Sequence, residues 1–238
     1  MDEGAEGHMR IVFVRHGEPD YARDCLTEQG RLQAQAAAER LRAEGIEAIY
    51  ASPLGRAAET AAAAAEVLKL PVTTLDYMRE LHWGSIDGTP VPCDGHPWDL
   101  ADLLAGGGYN LNDPGWRELP CFRNNKVTAE ADYVAQMTDE WLRTLGYERN
   151  GAYYCCSRPD DRQKTIALFS HGGSSAAAMG HILNLPFPYA CGLFHLEFTG
   201  ITIIRLDRNP GSQRMPCLEL ANDSMHIHGT HYHRLADM

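Results

Sequence analysis

Ile11-Val12-Phe13-Val14 runs into Arg15-His16-Gly17-Glu18, and Ile166-Ala167-Leu168-Phe169 runs into Ser170-His171-Gly172-Gly173. Each stretch reads as a buried strand that delivers a histidine at its carboxyl end. Parallel strands present all such ends along one edge, where open α/β folds keep their ligands, so residues more than 150 positions apart are brought to one pocket. The glycine after each histidine, Gly17 and Gly172, lets the backbone approach a ligand with its N–H groups turned toward it, which suits an anion such as phosphate. Arg15 adds a rigid, permanently charged fork that matches two phosphate oxygens. One histidine after a strand is ordinarily a surface or hydrogen-bonded side chain; two such cassettes, one fused to an arginine, are a site.

Two further segments belong at this edge. Ser52-Pro53-Leu54-Gly55-Arg56 follows the apolar Ala48-Ile49-Tyr50 run, with Ser52 expected as an N-cap and Pro53 in the first turn, so that Arg56 and a helix N-terminus act on the same anion. The competing reading pairs Arg56 with Glu59 on a solvated helix face. Glu80, in Arg79-Glu80-Leu81-His82-Trp83-Gly84, follows the extended Val72-Thr73-Thr74-Leu75 stretch. A phosphate ester needs a proton on its departing alkoxide, and a carboxyl group whose pKa is raised by burial can supply it; an ordinary surface glutamate is the alternative.

Arg-His-Gly-Glu at 15–18, Ser-Pro-Leu-x-Arg-Ala-x-x-Thr-Ala at 52–61, the Glu80 segment and Ser-His-Gly-Gly at 170–173 resemble the histidine phosphatase (phosphoglycerate mutase-like) superfamily in its own order. Ala221-Asn222-Asp223-Ser224-Met225-His226-Ile227 is similar to the terminal segment of its phosphatase branch. The resemblance implies that His16 attacks phosphorus and becomes a phosphohistidine. It also implies that Arg15, Arg56 and His171 hold the equatorial oxygens, and that Glu80 protonates the leaving oxygen and then activates water. Gly17, Glu18, Arg23 and Gly172 are expected around the substrate. Cations of the protein would stabilise the transferring group, so the expected enzyme is a phosphomonoester hydrolase of a small phosphorylated metabolite with no metal and no cofactor. The runner-up is phosphoglycerate mutase-type transfer. Mutases resemble one another in a longer segment after the first motif and in basic residues beyond the glutamate; here only residues 19–25 separate Glu18 from Leu26, although Arg23, Arg117, Arg123 and Lys126 remain available. Two lesser alternatives are a non-catalytic phospholigand-binding module and a serine hydrolase using Ser174, the latter lacking the proper glycine spacing.

The 238 residues suit one α/β domain with an insertion. A net charge of −11 opposes nucleic-acid and acidic-membrane partners and confines any attraction for phosphate to the cleft. Seven scattered cysteines without a C-x-x-C spacing point to reduced thiols in a cytoplasm, and no apolar stretch reaches membrane length. The oligomeric state stays open, a homodimer included. Residues 1–9, containing Gly7-His8-Met9, are set aside as an extension with the look of a cloning scar, and the domain is taken as 10–238. His226, His228, His231 and His233 read as an exposed tail and not as a metal site.

Alternating strand and helix patterns predict a three-layer α/β/α sandwich with a mostly parallel central sheet. Helices are expected over 27–44, 57–69, 128–145 with Thr128 as its cap, and 174–183. Leu193–Phe198 and Ile201–Leu206 read as a hairpin around Thr199-Gly200. Residues 84–126, with Gly106-Gly107-Gly108 and little periodicity, read as a lid insertion. From Leu81 to Trp116 the chain has no Lys or Arg but carries Asp87, Asp94, Asp99, Asp102 and Asp113 with Trp83, Trp98, Tyr109 and Trp116. Such a lid suits a leaving group with an apolar or aromatic part and repels a second anion; a small satellite core is the alternative.

Overall fold

Strand β1 (His8–Arg15) buries both faces: Met9, Ile11 and Phe13 enter one apolar cluster, Val12 and Val14 another. A strand apolar on both sides has to lie inside a sheet covered by helices above and below, and the whole architecture follows from it. The computed structural model describes residues 8–157 and 165–227. After β1 come a short hairpin of β2 (Pro19–Asp20) and β3 (Cys25–Leu26), then α1 (Glu28–Leu41), β4 (Ala48–Ala51), α2 (Gly55–Leu68) and β5 (Val72–Thr74). The lid carries α3 (Pro97–Gly106) and α4 (Pro120–Arg123) and leads into α5 (Lys126–Thr144), followed by the hairpin β6 (Tyr147–Asn150) and β7 (Tyr153–Cys156). β8 (Thr165–Ser170), α6 (Gly172–Ile182), α7 (Phe187–Leu193), β9 (Ile201–Asp207) and β10 (Cys217–Asp223) complete the chain.

The main sheet has the order β10-β9-β1-β8-β4-β5. β1, β8, β4 and β5 run parallel, and β9 is antiparallel to both β1 and β10. Helices α1 and α2 cover one face through Ala38, Leu41, Ala61 and Ala64, small side chains that let the helices lie close to the strands. The lid helix α3 and helices α5 to α7 cover the other face over Ile11, Phe13, Ile166 and Leu168. This is the expected three-layer, mostly parallel sandwich.

Several local expectations shift. β1 begins at His8 and Met9 is fully buried, so the folded unit starts before Arg10. Residues 193–198 are not a strand: Leu193 ends α7, and β9 takes β1 and β10 as its antiparallel neighbours. The strand-like pattern there comes from a loop that buries Phe194 and Leu196 and exposes His195. Helix α1 ends at Leu41 and continues as a 3-10 turn, with Leu32 exposed. Asn125, not Thr128, caps α5, its side-chain oxygen accepting from Val127 N–H. The lid is ordered by α3, which starts at Pro97, and by Trp116, packed edge-on against Phe122 and buried to 1% exposure. Trp116 therefore belongs to the core and not to a substrate cover.

Helix α1 starts directly against the turn that follows β1. A Cβ on Gly17 would lie 2.5 Å from the Gly30 carbonyl oxygen, and one on Gly30 only 2.1 Å from that of Glu18. Both clashes are with backbone, which cannot rotate away. Replacing Gly30 with Ala should therefore cost about 2 kcal/mol or more through overpacking, although alanine is the better helix former by about 1 kcal/mol. A higher urea midpoint for Gly30→Ala would mean that propensity, and not this close approach, governs the position.

Candidate active site

Because β1 and β8 pair in parallel with Arg15 opposite Ser170, the next residue of each strand emerges at the same point of the sheet edge. The His16 and His171 rings lie 5.1 Å apart between centroids, and His16 N–H donates to the Ser170 carbonyl at 2.9 Å. β4 ends beside them, with Ser52 N–H donating to Phe169 O. The two histidines predicted to meet do so.

His16 Nδ1 lies 2.7 Å from the Gly17 carbonyl oxygen, which can only accept, so Nδ1 carries the proton. The lone pair is then on Nε2, where Arg56 Nε donates at 3.3 Å. Burial, reinforced by the Arg15 charge and, more weakly, by Arg56, pulls the His16 pKa down to about 3, with the Gly17 carbonyl opposing. His171 falls to about 2, chiefly through burial and secondarily through His16 and the two guanidiniums. Both rings are neutral at pH 7. His171 Nε2 meets Ser52 Oγ at 2.8 Å, while its Nδ1 is buried with no hydrogen-bond partner among the described residues, as is Arg15 Nε.

Arg56 rises from the first turn of α2 and is held by Asp24, whose carboxylate takes its guanidinium at 2.5 Å and the Gly55 N–H at 2.7 Å. Glu59 instead receives Leu26 N–H, so the solvated Arg56–Glu59 pair does not form. Ser52 is not the N-cap of α2: the helix starts at Gly55 after Leu54, and the Ser52 hydroxyl is turned to His171 and to Leu54 N–H. Arg15 lies over the Phe198 ring, 4.4 Å from its centroid, and donates to the Leu196 carbonyl.

Glu80 is anchored by amides. Its Oε1 accepts from Leu81, Gly173 and Ser174 N–H at 3.0, 3.0 and 3.2 Å. Burial raises its pKa, outweighing these amides and the nearby Arg15 and Arg56. The segment is further fixed by Ser170 and Ser174, whose hydroxyls donate to Met78 O. A Cβ on Gly173 would sit 2.6 Å from Glu80 Oε1, so a side chain there would displace the carboxylate. Ser174 is fully buried in this network, which removes the serine-nucleophile reading.

A cleft of about 330 Å³ opens over Arg15, Glu80 and Gly172. Tyr21, Trp83 and Trp98 line it with His96, Asp99, Asp102 and His195. Other expected residues lie elsewhere. The Gly17 amide is taken by Thr60 Oγ1 and the glycine is needed for packing against α1, so it does not cradle an anion. Glu18 accepts from the Thr27 hydroxyl at the start of α1. Arg23 is 78% exposed and paired with Asp20, and Arg117 is paired with Asp132. Local sequence carried no sign of Asp24, Phe198 or the double role of Ser52, because each acts through a contact made only by the fold. Thr199 meets His226 Nε2 at 3.0 Å; His228, His231 and His233 lie outside the described residues.

Two neutral imidazoles, two guanidiniums and a protonatable carboxyl at the carboxyl edge of a parallel sheet define a class of α/β enzymes built around an anion. The family model described as histidine phosphatase superfamily (branch 1) matches residues 11–100. A probable phosphoglycerate mutase GpmB of Yersinia enterocolitica is 34% identical over 228 residues, spanning 92% of this chain and 95% of its own, and one from Yersinia pestis is 36% identical over the same span. The chain belongs to the histidine phosphatase superfamily. Among solved structures it resembles a mycobacterial hydrolase (TM-score 0.62, 25% identity, covering 90% of this chain and 99% of that one). It also resembles the mycobacterial glucosyl-3-phosphoglycerate phosphatase in complex with inorganic phosphate (TM-score 0.61, 25% identity, 92% and 99% covered).

The lowered imidazole pKa values have a stability consequence. Below the ordinary value of 6.5 the unfolded chain protonates both rings while the fold keeps them neutral. Their contribution is complete above that pH and is lost as pH falls toward about 3 and about 2. At pH 5 the loss is about 2 kcal/mol per ring. His171→Gln should flatten the decline of the urea midpoint between pH 7 and 5 markedly; an unchanged slope would show that the ring titrates normally in the fold.

Proposed function

We propose that this protein hydrolyses small phosphomonoesters through a phosphohistidine on His16. The observation that carries the reading is the His16 tautomer: a backbone carbonyl holds the proton on Nδ1 and leaves the Nε2 lone pair in a buried, cationic pocket. In the first step Nε2 forms a bond to phosphorus as the ester P–O bond breaks, and the protonated Glu80 gives its proton to the leaving oxygen. The Arg56 guanidinium moves from Nε2 to the phosphoryl oxygens, joined there by Arg15 and by His171 Nδ1–H, the tautomer that results when Ser52 donates to Nε2. In the second step the Glu80 carboxylate takes a proton from water as the oxygen attacks phosphorus, releasing phosphate and restoring the lone pair. Gly172 borders the substrate, while Gly17 and Glu18 hold the turn after β1 against α1.

Hydrolysis is favoured over mutase transfer by the charge of the cleft. Among the described residues Arg15 is the only Lys or Arg lining it, while Arg117 and Arg123 border other depressions, so a second phosphate or a carboxylate on the substrate meets Asp99 and Asp102 instead of cations. The names of the curated relatives keep mutase transfer as the second reading. No group of three or more His, Cys, Asp or Glu is placed to hold a metal among the described residues. Nor is any helix there long and apolar enough to cross a membrane. A cytoplasmic setting and a small phosphorylated molecule as substrate complete the proposal.

His16→Ala should abolish phosphate release and the acid-labile phosphoenzyme alike, with the fold intact by circular dichroism. A trapped phosphohistidine in the wild type separates an enzyme from a binding module. Glu80→Gln should turn 4-nitrophenyl phosphate, whose leaving group needs no proton, into a burst substrate: about one equivalent of nitrophenol per site, then turnover slowed by 10²-fold or more for want of a base. Steady turnover without a burst would take the water-activating role away from Glu80. Hydrolysis is expected to be unaffected by EDTA and blocked by vanadate, and detectable interconversion of phosphoglycerates would favour the mutase reading.

A further inference from the structure

Resting on the phosphatase reading, we propose that the leaving-group half of the cleft recognises an alcohol bearing an ammonium group. The geometry around Gly172 shows where that alcohol lies. A point one Cβ from Gly172 is 3.4 Å from Trp98 Cζ2 and 4.0 Å from Glu80 Oε2. Glu80 Oε1 is committed to three amides, so Oε2 faces the leaving oxygen, and the carbon skeleton attached to that oxygen runs beside the Trp98 indole.

Trp98 is itself fixed. Its Nε1–H donates to Phe194 O at 3.4 Å, and its ring lies 5.3 Å from that of His96, which in turn meets Trp83 edge-on at 5.1 Å. The cleft thus has an aromatic wall with two indoles, the side chains that attract a cation most strongly through their negative ring faces. One turn further along α3, Asp102 shares the face of Trp98, since residues four apart on a helix stack. Asp99 on the same helix has Oδ2 2.9 Å from His96 Nδ1, whereas Asp102 has no ion pair or hydrogen bond among the described residues. Arg15, the only Lys or Arg in the lining among the described residues, is spoken for by the phosphoryl group at the floor.

The site does not rest on these carboxylates alone. His171, fully buried with Nδ1 lacking a partner among the described residues, independently marks the phosphoryl end. An ester with phosphate at that end and an ammonium a few bonds away matches the polarity of the cleft at both ends: anion over the guanidiniums, cation between indole and carboxylate. A carboxylate or second phosphate in the same place would be repelled, and an uncharged alcohol would gain only the aromatic wall.

The test compares phosphocholine with 3,3-dimethylbutyl phosphate, its uncharged carbon isostere, and with 3-phosphoglycerate. Assays run at pH 8, above the ordinary imidazole range. The wild type should show kcat/KM for phosphocholine about tenfold or more above the isostere, falling as ionic strength rises. In Asp102→Asn and, separately, Trp98→Leu the ratio of the two esters should drop at least threefold. Calorimetric titration of His16→Ala with both esters, with the wild type plus vanadate and choline as a second format, gives the same comparison without turnover. A ratio near one in binding, preference for the isostere or for 3-phosphoglycerate, or a ratio unmoved by Asp102→Asn overturns the inference. Failure of the wild type to hydrolyse any ester, 4-nitrophenyl phosphate included, overturns the phosphatase reading instead, and the binding ratio still decides the ammonium preference.

Discussion

Everything at the site depends on the parallel register that sets Arg15 opposite Ser170. A slip of one residue would turn every side chain of β1 to the other face, placing Val12 and Val14 where Ile11 and Phe13 belong and drawing His16 away from His171. The two apolar clusters on opposite faces of the sheet therefore do more than stabilise the fold: they fix, to within one residue, which atoms face each other at its edge. The hydrogen bond from His16 N–H to Ser170 O extends that register by one step past the ladder.

From the edge outward, each functional group is held by a partner that leaves one atom free. Gly17 O takes one nitrogen of His16 and Ser52 takes one nitrogen of His171. Asp24 holds the guanidinium of Arg56, and the α6 amides hold one oxygen of Glu80. The low pKa values of both imidazoles follow from burial beside fixed positive charge, so the same desolvation that costs stability in acid keeps the His16 lone pair available near neutrality. Asp24 is the costly part of this arrangement, its backbone held at φ 48, a left-handed conformation that aspartate tolerates better than most residues.

The central strands β1, β4, β5, β8 and β9 and the five candidate positions Arg15, His16, Arg56, Glu80 and His171 were legible because they are written in local pattern: apolar runs, a following histidine, and the spacing of Arg56 within its motif. What was not legible depends on distance through space. Ser52 has the composition of a helix cap, yet the hydroxyl is turned to His171 because β4 and β8 are neighbours. Gly17 looks like a phosphate-cradling glycine, but its lack of a side chain is used up by Gly30. The five residues after α7 alternate as a strand does, but β1 already has β9 on the edge they would need. Among the lid aromatics, periodicity offered no means of separating Trp98, which lines the cleft, from Trp116, which packs on Phe122.

The attachment of Glu80 to three amides at one oxygen has a stereochemical consequence. A carboxyl group so bound is desymmetrised: with Oε1 accepting from three amides, any acidic hydrogen it carries resides on Oε2. The group cannot rotate about its Cγ–Cδ bond without breaking all three contacts, so in the proposed mechanism proton donor and later acceptor are the same atom, approached from the same side. In the proposed two-step hydrolysis the departing alcohol and the incoming water would consequently occupy one position in turn, the alcohol vacating the cleft before the second half of the cycle begins.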